Sequence, residues 1–139
     1  MAFVVDSSFV GAIIIPDERN PAVDKMKAGI GENDDVFVPH LFWYEMANIF
    51  MNIIRRKRYA VTEVKQFFPL VAALRLTDDF ETGTGYSMRL LRLCNDFNLS
   101  SYDAAYLELA WRKKAVLCAL DSDLRKAAKK YGVALMSAK

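Results

Sequence analysis

Residues 3–9 read Phe3-Val4-Val5-Asp6-Ser7-Ser8-Phe9. Three consecutive aromatic or β-branched residues with no polar alternation make a short strand buried on both faces. A carboxylate and two hydroxyls follow, the side chains that cap helix N-termini, and Phe9, Val10, Ala12 and Ile13 carry an apolar helical face as far as Pro16. A strand that passes directly into a helix is the opening of an alternating α/β chain.

The same grammar continues outward. A helix is expected after Pro21, and Val36-Phe37-Val38 makes a second short strand stopped by Pro39. Over residues 42–58, Phe42, Met46, Ile49, Phe50, Ile53 and Ile54 fall at spacings of three and four, one broad stripe on a helix. Glu45, Asn48 and Asn52 lie beside that stripe, and a basic tail, Arg55-Arg56-Lys57-Arg58, closes it. Further helices are predicted over residues 61–74 and 85–97. Ser100 or Ser101 opens another through Arg112, residues 115–120 read as a buried strand, 122–131 as a helix and 133–136 as a last strand. Strands alternating with helices imply a parallel sheet covered on both faces.

Composition agrees with one globular domain spanning residues 1–139. The 139 residues are 53% hydrophobic and 26% charged, which excludes general disorder. The two cysteines, Cys94 and Cys118, have no CxxC spacing, and with a single histidine, His40, no zinc-finger set can be assembled. The longest apolar run, residues 9–15, is far short of the ~20 residues a membrane span needs. The N-terminus lacks a basic region and meets Asp6 early, unlike a secretory signal. A reducing cytoplasm is the expected compartment. A net charge of +2 demands no polyanionic partner by itself.

In a parallel sheet the ligand crevice lies beyond the carboxyl ends of the strands. Asp6 and Asp121 each follow a predicted strand, so both point toward such a crevice, although each also reads as a helix N-cap. Asp103 lies in the first turn of the helix that Ser100 or Ser101 opens, where an acid suits the helix dipole and approximates a capping box. The small pair Ala104-Ala105 would let that helix start approach another backbone and carry Asp103 into a cleft. Glu45 borders the apolar stripe, with Asn48 and Asn52 on its side as potential hydrogen-bond partners. Carboxylates about 5 Å apart at an effective dielectric near 20 repel by roughly 3 kcal/mol per pair, so a convergent set needs a cation or protons. An all-oxygen site selects a hard divalent ion, Mg²⁺ or Mn²⁺, and points to metal-assisted phosphodiester hydrolysis. Asp123 either assists that site or only caps the following helix.

Asp6-Ser7-Ser8 after a strand, Glu45-Met46-Ala47-Asn48 on a helix, Ser101-Tyr102-Asp103-Ala104-Ala105-Tyr106, and Leu120-Asp121-Ser122-Asp123-Leu124 before Ala127-Ala128 occur in this order. Together they resemble the PIN-domain ribonucleases, most closely the VapC-type toxins of prokaryotic toxin–antitoxin modules. The resemblance covers essentially the whole chain. It implies a three-layer α/β/α sandwich with a short, mostly parallel central sheet, and an acidic pocket holding Mg²⁺ or Mn²⁺ for endoribonuclease action. Asp6, Glu45, Asp103 and Asp121 match the family's four acidic positions, and Ser8 and Asn48 its supporting polar ones. Ala119 departs from the pattern, standing where many members place Thr or Ser.

On this reading Asp6, Asp103 and Asp121 hold the ion and Glu45 positions or deprotonates the attacking water. RNA would be drawn in by Arg55, Arg56 and Arg58, by Lys113, and by Arg125, all within basic clusters; helix C-termini would account for some of these cations without any ligand. Trp43 and Tyr44 project away from the main stripe and would suit a homodimer interface or an antitoxin groove. The resemblance implies a VapB-type antitoxin as partner. The competing expectation is a PIN-like module that binds RNA or protein without cutting. Gly29-Ile30-Gly31 and Gly83-Thr84-Gly85 lack the third glycine and the preceding strand of a dinucleotide site.

Overall fold

The computed structural model describes residues 1–137. In chain order the elements are β1 (Ala2–Val5), α1 (Ser7–Ile14), a 3-10 turn (Pro16–Glu18), α2 (Pro21–Ala28), β2 (Asp35–Val38), α3 (Phe42–Arg55), α4 (Val61–Lys65), α5 (Phe67–Ala72), β3 (Thr77–Asp78), α6 (Thr84–Phe97), α7 (Ser101–Lys113), β4 (Val116–Cys118) and α8 (Ser122–Tyr131). The strands form one sheet in the order β3-β2-β1-β4, every pair parallel. Register places Val5 opposite Cys118, and the Asp6 amide extends the pairing by donating to the Cys118 carbonyl at 3.1 Å. Asp6 therefore leaves the sheet beside the chain that leads to Asp121.

Strand β1 is central, and its alternation of side chains divides the protein into layers. Phe3 and Val5 join Phe9, Val23, Phe42, Met46 and Phe50 on the face covered by α1, α2 and α3. Val4 points the other way, into Leu93, Tyr106, Leu107, Leu109 and Leu124 from α6, α7 and α8. All three are at most 2% exposed, and each such side chain contributes roughly 1.5–3 kcal/mol of burial. This is the three-layer α/β arrangement with a four-stranded parallel sheet that the sequence implied.

Several boundaries differ from expectation. Helix α3 ends at Arg55 rather than at residue 58. The chain turns left-handed at Lys57 (φ 58°) and the Arg58 amide bonds back to the Ile53 carbonyl at 3.0 Å, a closure typical of helix C-termini. The helix expected over 61–74 is two helices that meet at Gln66. Pro69 explains the break, since it lacks an N–H and is tolerated only in the first turn of the second helix. The strand expected over 115–120 contracts to Val116–Cys118. That over 133–136 reduces to a parallel bridge between Leu135 and Leu117, held by Leu117 N–H to Ala134 O at 2.8 Å and Met136 N–H to Leu117 O at 2.9 Å. Strand β3 was not anticipated, because two residues, one of them acidic, show no apolar pattern.

Both cysteines are free thiols, and burial pushes that of Cys118 up to about 12. Among the described residues no helix is long and apolar enough to cross a membrane.

Candidate functional site

Four helices begin near the carboxyl edge of the sheet, and each brings a carboxylate with its first turn. Asp6 is the N-cap of α1, Glu45 lies in the first turn of α3, Asp103 in the first turn of α7, and Asp121 is the N-cap of α8. The partial positive ends of the helix dipoles favour acids there. Asp6 Oδ1 accepts the Phe9 N–H at 2.8 Å, and Asp121 Oδ2 accepts the Leu124 N–H at 2.9 Å. The capping reading of both residues thus holds, and it leaves further carboxylate lone pairs for other work. Ser100, not Ser101, caps α7, accepting the Asp103 N–H at 3.2 Å.

Asp6 is the most enclosed of the four, 6% exposed. Burial lifts its carboxyl from the ordinary 3.8 to about 6; the Phe9 amide and the Ser8 hydroxyl pull it back, while the charges of Glu45 and Asp103 push it further up. Ser8 Oγ donates to the Asp6 carboxylate, 3.1 Å from each oxygen. Asp103 is half-buried, and its carboxyl is raised first by burial, then by Asp121, Glu45 and Asp123. The repulsions link Asp6, Glu45, Asp103, Asp121 and Asp123 into one acidic region. None of the ion pairs among the described residues includes any of these five.

Glu45 is held by side chains that the sequence did not single out for it. Its Oε1 accepts the Tyr106 hydroxyl at 2.5 Å and the Ser7 hydroxyl at 3.2 Å. Asn48, expected to steady it, is exposed and its side chain bonds to nothing among the described residues, and Asn52 is exposed as well. Tyr106 could have been noticed: it lies three residues after Asp103, on the same helix face. A tyrosine within a run of buried alanines and leucines also brings a hydroxyl that needs a partner.

The expected RNA-facing cations divide. Arg58 is engaged with Asp17 at 2.6 Å and Glu18 at 3.5 Å. Lys113 sits over the Phe37 ring, 4.9 Å from its centroid. Arg125 donates to the Ala119 carbonyl at 2.9 Å and the Met136 carbonyl at 3.2 Å, tying the end of β4 to the Leu135 bridge. Those three side chains are committed to the fold, whereas Arg55 and Arg56 remain exposed without such partners. Trp43 and Tyr44 are 42% and 68% exposed, although the Trp43 Nε1–H donates to Asp78.

Among the described residues no three acidic, histidine or cysteine side chains are gathered tightly enough to hold an ion as they stand. The donor chemistry nonetheless fits a hard divalent cation: oxygen ligands only, mutual repulsion, and no ion pair among the described residues to relieve it. Mg²⁺ in particular keeps several waters and is held through one or two carboxylates plus substrate phosphate, not by a closed protein cage.

The sequence matches the model of the PIN domain over residues 3–130. Curated protein sequences yield no match. Among solved structures, PAE2754 from Pyrobaculum aerophilum superposes with a TM-score of 0.69 at 22% identity, over 97% of this chain and 83% of that one. FitAcB from Neisseria gonorrhoeae gives 0.61 at 13% identity, over 98% and 97%. FitAB bound to an IR36 DNA fragment gives 0.62 at 13% identity, over 98% and 94%. At these identities the likeness is one of fold.

Proposed function

This chain belongs to the PIN-domain family, and from that premise we propose that it is a metal-dependent endoribonuclease acting as the toxin of a type II toxin–antitoxin pair. The observation that carries the reading is the acidic edge of the sheet: Asp6, Glu45, Asp103 and Asp121, each at a helix start, with no cation paired to them among the described residues. Such an arrangement costs stability, and a site for a divalent ion and a phosphate accounts for it.

In the proposed site Asp6, Asp103 and Asp121 would hold Mg²⁺ or Mn²⁺, which neutralises charge on the phosphodiester and lowers the pKa of a water when bound. Glu45 would orient a water and accept its proton; Oε1 is occupied by Tyr106 and Ser7, so Oε2 would be the acceptor. Ser8 fixes Asp6 for its task. Asp123 adds negative charge beside Asp103, and Asn48 stands on the exposed flank of α3, the helix that carries Glu45. Products would carry a 5′-phosphate and a 3′-hydroxyl. Of the five cations considered, Arg55 and Arg56 are the two that could attract RNA without giving up a contact within the fold.

The domain would span residues 1–139 and work in the cytoplasm as a homodimer, silenced by a VapB-type antitoxin. A groove of about 750 Å³ between α1 and α5 with the chain that follows it offers apolar side chains such as Ile13, Ile14, Leu70 and Leu74, and suits an amphipathic partner segment. FitAB is a structural neighbour solved with DNA, which supports looking for DNA binding by a complex with the antitoxin. An inert RNA- or protein-binding module is the second reading, favoured by the loose spacing of the carboxylates.

The test is incubation of partner-free protein with total RNA in Mg²⁺ or Mn²⁺, in EDTA, and with folded Asp6→Asn and Asp103→Asn variants. Discrete fragments that disappear in EDTA and in both variants support the nuclease. Metal-independent RNA binding without fragments supports the inert module.

A further inference from the structure

We infer that Tyr106 is a positioning residue for Glu45, holding one carboxylate oxygen so that the other alone is free to act on water; the role rests on the nuclease reading above. The geometry is specific. Tyr106 is 2% exposed and Ser7 9% exposed, and their hydroxyls converge on the same atom, Glu45 Oε1, at 2.5 and 3.2 Å. Glu45 Oε2 accepts no hydrogen bond among the described residues.

The two donors come from opposite layers of the fold. Ser7 begins α1, on the side of the sheet where α3 and Glu45 also lie, whereas Tyr106 belongs to the core between α7 and the other face. The bond between Tyr106 and Glu45 joins residues 61 positions apart. It therefore ties together the helix that carries Asp103 and the helix that carries Glu45. A buried tyrosine has two torsions, both set by packing, so its hydroxyl is a rigid reference point. Glutamate alone, with three flexible torsions and half-exposed, would sample orientations in which neither oxygen faces the attacking water. A misplacement of about 1 Å at a reacting group can cost about 10²-fold in rate.

Burial raises the Tyr106 phenol well above its ordinary value, with the Glu45 bond adding to the effect. The hydroxyl thus stays protonated and keeps donating. It has one proton to give and gives it to Glu45, so Tyr106 serves as a holder and not as an acid or base in its own right.

The test is a double-mutant cycle with Tyr106→Phe and Glu45→Ala, read in two ways. Tyr106→Phe keeps the ring and removes only the hydroxyl. In cleavage of a fixed RNA substrate, kcat should fall by about 10- to 100-fold with KM unchanged, while Mn²⁺ affinity measured without RNA stays at the wild-type value. In a Glu45→Ala background the same substitution should bring no further loss, because the hydroxyl acts only through Glu45. In urea unfolding of the intact chain, the two substitutions should couple by about tenfold in the unfolding constant, the mark of a hydrogen bond to a charged group. Wild-type kcat in Tyr106→Phe, or an equal loss in both backgrounds, overturns the positioning role. Cleavage without stability coupling shows that the Glu45 contact is wrong while the nuclease stands. Coupling in a folded protein that cuts no RNA removes the nuclease reading, and the positioning role with it.

Discussion

The chain buries carboxylates in two places, Glu108 with Asp79 and Asp6 at the acidic edge, and treats them in opposite ways. Glu108, 2% exposed, and Asp79, 9% exposed, share the Arg112 guanidinium, which makes a two-pronged contact with Asp79 at 3.0 and 2.6 Å and reaches Glu108 at 2.9 Å. Arg89 adds a bond to Glu108 at 3.2 Å and another to Glu81 at 3.1 Å. Glu108 and Asp79 together hold the Arg112 guanidinium protonated still more firmly than usual. Asp6, 6% exposed, has no such partner, and its carboxyl is pushed to about 6. Helix α7 participates in both sets, carrying Asp103 and Tyr106 near its start and Glu108 and Arg112 further along. Folding alone requires the compensation seen around Glu108. Around Asp6 only the Phe9 amide and the Ser8 hydroxyl offset the charge, and it is there that we propose an ion-binding site.

The sharpest way to break this contrast is neutralisation. Asp6→Asn should reduce RNA cleavage by about 10³-fold or more while leaving the melting temperature unchanged or higher, since a repelled charge is removed. Fragment assays and thermal melts check it; a strongly lowered melting temperature would make Asp6 a structural residue of the same kind as Glu108. Arg112→Leu should do the reverse. It strands Glu108 and Asp79, and urea unfolding at neutral pH should show a loss of about 3–5 kcal/mol. A loss no larger than that of an exposed ion pair would show that the arginine cluster does not hold β3 to α7.

A pH series sharpens the comparison. The Asp6 carboxyl has a folded-state pKa near 6 against an ordinary 3.8, so between those values the folded protein binds more protons than the unfolded one. Stability should therefore decline as pH rises from about 4 to about 6, by about 3 kcal/mol in all from this group. Asp103 is shifted in the same direction. Urea midpoints across that window, in wild type and in Asp6→Asn, test the sign: the variant should show a shallower decline, and added Mn²⁺ should raise the wild-type midpoint above pH 6 but not that of the variant. The smallest expected effect lies on the surface. Replacing Arg55 and Arg56 by alanine should weaken RNA binding and lower the salt slope by about 1–2, whereas Arg58→Ala, already engaged with Asp17, should leave that slope as it was.

Local patterns revealed Asp6, Asp103 and Asp121 because each sits where a strand or loop hands over to a helix, a junction defined by neighbouring residues. Glu45 was visible for a similar reason, as a charge bordering a long apolar stripe. Its partners were not, since Ser7 and Tyr106 reach it across 38 and 61 positions of chain. Lys113 read as part of a basic cluster, yet its neighbour Arg112 turns inward to carboxylates 4 and 33 residues away. Arg125 likewise bonds to backbone carbonyls that no spacing rule connects to it.

By itself, then, the order of apolar runs and capping residues determined an α/β chain with acids at helix starts, because periodicity and capping act within one or two turns. Only the tertiary structure decided which acids would be paired with arginine and which left facing one another, which cations stayed free, and how short the outer strands became. Those outcomes depend on contacts between distant segments, where the cost of burying a charge is set by what the rest of the fold brings to meet it.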